Sequence, residues 1–200
     1  MTQPPESVRP SESVHTFEVV PPEQRPRRTR RTARVLLVDD RDRLLLFADS
    51  DPGLPGSGWW MTPGGGIDPG ESDVAAAVRE LAEETGLVVA PEELLGPVMR
   101  RRVWHGYTDV VVDQEDVFFA CWVEAFEVSA AGHTPEEQLS LTGHRWWTRA
   151  ELAATDEEVW PADLLAWWAE ADVRRRAAAE GAPPAAPVDG GTVEESTVPA

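Results

Sequence analysis

Apolar and polar positions divide the chain into segments with different periods. ARVLLVDDRDRLLLF, Ala33 to Phe47, sets two short apolar runs around the polar turn Asp39 to Arg43. Runs of Val, Leu and Phe of this length suit buried strands, so a hairpin is expected to open the fold. GLPGSG (Gly53 to Gly58) is a loop, and WWMT forms a short strand that Pro63 and three glycines stop. The period then becomes helical. Val74, Val78, Leu81 and Thr85 fall between about 100° and 160° on a wheel with Glu80 at zero and roughly 100° per residue. Gly86 stands where a left-handed residue would end that helix. VWHGYTDVVV and VFFACWVEAFEV, rich in β-branched and aromatic residues, read as two further strands. TRAE, Thr148 to Glu151, fits a capping box that starts a second short helix. Pro161 predicts the first residue of a third helix through ADLLAWWAEADVRRR, with Leu164, Trp168 and Ala171 on one face. Strands, helix, strands and helices without strict βαβ alternation predict an α/β fold, a mixed sheet covered by helices.

The two ends lack this patterning. Residues 1–29 are rich in Pro, Ser and Glu, and residues 177–200 combine small residues, prolines and glycines without aromatic anchors. Both are expected to be disordered, leaving one domain over residues 30–176, an ordinary size for a single core.

Charge narrows the function. The net charge of −18 disfavours bulk binding to nucleic acid or anionic membrane, while small nucleotides remain accessible through a metal ion. All 18 basic residues are arginine, so lysine Schiff-base chemistry and a P-loop lysine are excluded. The single cysteine, Cys121, sits in an apolar run and reads as core. With no signal segment and no apolar run near the roughly 18 residues of a membrane span, a soluble, cytoplasmic protein is expected. Most of the nine tryptophans should be core, with Trp60, beside the glycines, the candidate for stacking on a base. Arg34 and Arg100 to Arg102 are candidate phosphate contacts or salt-bridge partners. His105, His133 and His144 lack metal-ligand spacing.

The first helix carries the most specific chemistry. Glu83, Glu80 and Glu84 occupy an arc from about −60° to 40°, away from the apolar residues. Like charges at i,i+4 oppose folding by roughly 0.2 to 0.5 kcal/mol, so this face is either solvated or bound to a counter-charge or cation. Mg²⁺ takes a few carboxylates and keeps waters and substrate phosphates in its remaining positions. Gly64, Gly65 and Gly66, followed by the turn Asp68-Pro69-Gly70, let backbone approach closely and bring Glu71 to the same place.

Gly65, Glu71, Arg79, Glu80, Leu81, Glu83, Glu84, Gly86 and Leu87 match every fixed position of the 23-residue pattern GxxxxxE, seven residues, RExxEExG and an apolar residue. In this the chain resembles the Nudix hydrolases from Arg30 to about Ala154. The resemblance implies an α/β/α sandwich around a mixed sheet, and Mg²⁺- or Mn²⁺-dependent hydrolysis of a nucleoside diphosphate linked to another group. Glu80, Glu83 and Glu84 resemble the metal ligands, and Glu80 or Glu83 the base. Arg79 resembles the residue that orients them, and Glu71 the acid that supports the helix start or a second metal. Glu136 and Glu137 lie where many family members place a further loop acid, with Gly64, Gly65, Trp60 and Arg34 as candidate substrate contacts. The resemblance also admits a non-catalytic nucleotide-binding module, a diphosphate isomerase, and a homodimer.

Overall fold

The computed structural model describes residues 18–129 and 141–200. β1 (Arg27–Asp39) and β2 (Arg43–Asp49) form the expected antiparallel hairpin, with Val38 opposite Leu44. Its turn is held by Asp39, whose Oδ1 accepts from the amides of Arg41 and Arg43. β3 (Trp59–Met61) adds to β2, and β4 (Gly64–Gly66) pairs instead with the part of β1 that β2 leaves free, Thr32 to Arg34. This divided edge brings the glycine run onto the sheet.

After α1 (Asp73–Thr85), β5 (Leu95–Gly106) and β6 (Val111–Val123) form a long hairpin. VWHGYTDVVV is therefore not one strand. It spans the end of β5, the turn closed by Tyr107 N donating to Val110 O, and the start of β6. A run of β-formers hid the turn because the side chains carry the strand signal and its interruptions, Gly106 and Asp109, are single residues. β6 lies parallel to β1 along its whole length, from Arg27 opposite Val111 to Asp39 opposite Val123. β7 (Gly143–Thr148) pairs with β2, and α2 (Arg149–Ala154) follows with both halves of its capping box formed. β8 (Val159–Trp160) pairs parallel with β3. α3 (Leu164–Ala179) starts three residues after Pro161, which precedes the helix and does not open it.

The C-terminal region departs most from expectation. α3 runs to Ala179, and Val188–Glu194 forms β9, parallel to β5 at the edge of the sheet. Backbone pairing and charged side chains anchor this strand where apolar anchors are lacking. At the other end, β1 begins at Arg27, and Val20 N bonds Thr108 O. The rest of the N-terminal arm, residues 1–17, lies outside the described residues.

Alternate residues of β1 face opposite layers, as strand geometry requires. Val35 and Leu37 join Ala76, Ala77 and Leu81 under α1, while Leu36 and Val38 join Leu164, Trp167 and Trp168 under α3. The sheet is covered on both sides, which is why its strands read as unbroken apolar runs. Each fully buried aliphatic side chain contributes about 1.5–3 kcal/mol. Trp59, Trp147, Trp160, Trp167 and Trp168 are core residues as expected.

Candidate active site

β4 has no side chains, and two of its glycines are required by what lies against them. Gly64 adopts φ 132°, where a Cβ would stand 2.2 Å from the Ala33 carbonyl oxygen. At Gly65 a Cβ would strike the Glu80 carboxylate at 2.6–2.8 Å. The loop thus lies between β1 and the acidic face of α1. α1 enters with Ser72 as N-cap, its hydroxyl accepting from Ala75 N at 3.3 Å, and leaves at Gly86, left-handed at φ 75°.

This closure changes the environment of the acids. Glu80 and Glu84 are only 5% and 6% exposed, although the helical wheel sets them apart from the apolar arc. The loop backbone covers them, and the Gly64 amide donates to Glu84 Oε2 at 2.7 Å. Glu83 stays on the outside, with 42% of its side chain exposed. Arg79 ties the group together. Its Nη1 donates to Glu80 Oε1 at 2.7 Å and Glu83 Oε2 at 3.0 Å. Nε and Nη2 form a fork on Glu71 at 3.0 and 2.9 Å, and Nη2 also reaches the Gly66 carbonyl at 2.7 Å. Hydrogen bonds to Glu71 first, and then to Glu80 and Glu83, raise the Arg79 pKa above its ordinary value. The same bond from Arg79 holds the Glu71 carboxyl below its ordinary value. The counter-charge for the acidic face is thus built into the chain. In this conformation no three acid, histidine or cysteine side chains among the described residues converge as metal ligands. Glu83 turns outward to Arg79 and Glu84 inward to Gly64.

The remaining candidates separate from this group. Arg34 is buried and donates to the carbonyls of Thr62 and Gly64 at 3.1 and 3.3 Å, so it braces the loop from beneath. Trp60 packs edge-to-face on Trp147 in the layer under α2 and α3 and donates to Glu157 at 2.7 Å. Glu136, Glu137 and His133 lie outside the described residues. Arg100 pairs with Asp73, Arg101 with Asp116 and Arg102 with Asp113, which favours the salt-bridge reading of that run. His105 is buried, and burial pushes its pKa down to about 4.

Sequence reasoning missed a buried polar belt: Thr32 and Arg34 on β1, Gln114 and Asp116 on β6, and Arg101 on β5, with the exposed Arg30 at its rim. Arg30 donates to Gln114, and Thr32, Gln114 and Arg101 all donate to Asp116. Burial alone would raise the Asp116 pKa, but Arg34 and Arg101 outweigh it and hold the carboxyl low. The sequence carries only a faint signal for it: Arg34 stands alone between Ala33 and Val35 where β1 turns apolar.

The comparisons bear on this arrangement. The family model described as NUDIX domain matches residues 28–168. The chain is 40% identical over 68 residues to a putative 8-oxo-dGTP diphosphatase of Bacillus subtilis (strain 168), covering 34% of this chain and 42% of that protein. It is 35% identical over 88 residues to an RNA pyrophosphohydrolase of Dinoroseobacter shibae, covering 38% of this chain and 53% of the relative. These matches span about half or less of the relatives' own lengths. Among solved structures, a MutT protein from Methanosarcina mazei Go1 shares the fold with a TM-score of 0.50 at 19% identity, over 76% of this chain and 98% of that one. A Nudix hydrolase from Nitrosomonas europaea does so with a TM-score of 0.50 at 20% identity, over 73% and 90%. The family match covers well over half the chain and contains the glycine loop and all of α1, so the chain belongs to the Nudix family.

Proposed function

We propose that this protein is a metal-dependent pyrophosphohydrolase. Its substrate is a nucleoside diphosphate linked to another moiety, cleaved in the cytoplasm by water attack on phosphorus. The observation that carries this reading is the Arg79 knot, in which one guanidinium gathers Glu71, Glu80 and Glu83 while Glu84 is seated on the adjoining loop amide. The donor set is all hard oxygen, and Gly65 leaves the Glu80 carboxylate lying against bare backbone, which suits Mg²⁺ or Mn²⁺. Glu80, Glu83 and Glu84 would hold the ion. Bound there, it would neutralise diphosphate oxygens and lower the pKa of a water.

The chain's own residues supply the rest. Glu80 or Glu83 accepts the proton of the attacking water, a step typically worth about 10²- to 10⁴-fold. Arg79 orients Glu80 and Glu83 relative to the loop, and Glu83 and Glu84, which face apart in this conformation, would turn together to hold the ion. The names carried by the relatives, a putative 8-oxo-dGTP diphosphatase and an RNA pyrophosphohydrolase, support a nucleotide with a diphosphate bond as the substrate class.

The test is a Mg²⁺-dependent hydrolysis screen over nucleoside triphosphates, nucleotide sugars and dinucleotides. Carried out in ¹⁸O-labelled water, it also locates the attacked phosphorus. Turnover that chelation abolishes is expected, with label in one phosphate product. Saturable nucleotide binding without hydrolysis would overturn the reading in favour of a binding module.

A further inference from the structure

Residues 188–200 lie beyond the region matched by the family, which ends at residue 168, yet a line of buried polar contacts joins them to the glycine loop. Glu195, one residue past β9, accepts from both terminal nitrogens of Arg101 at 2.7 Å each. Arg101 Nε donates to Asp116 Oδ2 at 2.8 Å. The other oxygen, Asp116 Oδ1, accepts from Thr32 and Gln114 and lies 3.9 Å from Arg34 Nε. Arg34 Nη1 donates to the carbonyls of Thr62 and Gly64, and the amide of Gly64 donates to Glu84. Arg34, Arg101 and Asp116 are all buried, so none of these charges can exchange its partner for bulk water.

Two guanidiniums and two carboxylates alternate along this line. Buried charges are stable only when each has its counter-charge and hydrogen bonds. If the Glu195 charge is lost, Arg101 keeps Asp116 as its main anionic partner. A guanidinium prefers a two-point grip on a carboxylate, so Arg101 would draw on Asp116 Oδ1, the oxygen that faces Thr32 and Arg34. Arg34 would then shift, and with it the carbonyls of Thr62 and Gly64.

We infer that Glu195 is a positioning residue for the candidate active site: through Arg101, Asp116 and Arg34 it sets the Thr62–Gly64 backbone on which Glu84 is seated. The kinetic consequence rests on the hydrolase reading above, while the structural consequence does not. Two further contacts hold the segment in place. Thr197 Oγ1 donates to Asp51 at 2.6 Å, and Ser196 Oγ accepts from the Gly106 amide at 2.7 Å.

The test compares full-length Glu195→Gln with Glu194→Gln. The latter removes a neighbouring carboxylate that accepts from the Ala200 amide at 3.2 Å. Hydrogen–deuterium exchange is followed across residues 60–67, and steady-state kinetics with Mg²⁺ are measured on dGTP and ADP-ribose. Glu195→Gln should speed exchange of the Gly64 amide about tenfold, with β6 unchanged. It should lower kcat roughly ten- to a hundredfold, as a misplaced catalytic group does, and leave KM within about twofold. Glu194→Gln should match the wild type.

Wild-type exchange at Gly64 in Glu195→Gln overturns the inference. So does a uniform rise through β1, β5 and β6, which would show general loosening, or an equal effect from Glu194→Gln. A wild type that cleaves neither probe nor any nucleotide of the wider screen counts against the hydrolase reading, and the exchange data then decide the positioning role alone.

Discussion

The molecule contains two networks of arginine and carboxylate that touch at the same loop and differ in charge balance and in access to water. At α1, among the described residues, the single guanidinium of Arg79 gathers Glu71, Glu80 and Glu83, with Glu84 close by, and the Glu83 side chain is 42% exposed. On the sheet, Arg34 and Arg101 face Asp116 and Glu195, one cation for each anion, closed from solvent. A balanced, buried network has its interactions satisfied internally and serves as architecture. An excess of carboxylate at a partly open position is costly unless something positive arrives, and that leaves capacity for chemistry. Burial by itself does not mark an active site. Unbalanced charge at the edge of burial does.

The largest effect expected from breaking this contrast is on catalysis. Glu83→Gln should leave the fold intact, because the side chain is half in water, while lowering turnover by about 10²- to 10⁴-fold. Near-normal rates in the hydrolysis assay would remove Glu83 from the mechanism. On the balanced side, Asp116→Asn leaves two buried guanidiniums short of charge and should cost about 3–5 kcal/mol, read from urea unfolding. A loss below ~1 kcal/mol would mean that water reaches the belt.

Next in size is the response to divalent ions. Mg²⁺ at a hundred times its dissociation constant should raise stability by about 2.7 kcal/mol if it binds only the folded chain. The melting temperature should rise accordingly, and Glu84→Gln should abolish the rise. A shift that survives Glu84→Gln would place the ion elsewhere.

Acid should probe His105, which adjoins the belt through the Glu195 carbonyl at 2.6 Å. His105 has its folded pKa depressed to about 4 from 6.5, so the unfolded chain binds the extra proton first. Stability is therefore complete above about 6.5 and falls as pH drops towards 4, and His105→Gln should flatten that part of the profile. The smallest effect serves as a control remote from both networks. Thr148→Ala, which removes the capping box of α2, should cost about 1 kcal/mol and leave activity unchanged.

These two networks were not equally legible in the sequence. The α1 side could be read because its information is local: helical spacing, glycines and a turn within about two dozen residues place Arg79 among its acids. One of its features depended on tertiary structure. Glu80 and Glu84 are buried because β4 pairs with β1 over them, which no helical wheel shows. The Arg79–Glu83 pair, by contrast, is local, at i,i+4. The belt was illegible because its members come from three strands and a C-terminal segment whose small and acidic residues resemble a flexible tail. Glu195 gains its meaning only beside Arg101. Likewise, the run through Gly106 showed two strands' worth of β-formers without revealing the turn between them.

The parallel pairing of β1 with β6 also has a consequence in time. Thr32 meets Asp116 across 84 residues of chain, and Arg101 meets Glu195 across 94. Contacts this remote require a large loss of loop entropy before they return any stability, and chains dominated by them reach the native state in about milliseconds to seconds. α1 and its cap, by contrast, are built from neighbours in sequence. The acidic helix is therefore expected to form ahead of the frame that aligns its loop, and recovery of activity after dilution from denaturant should lag behind recovery of helical signal.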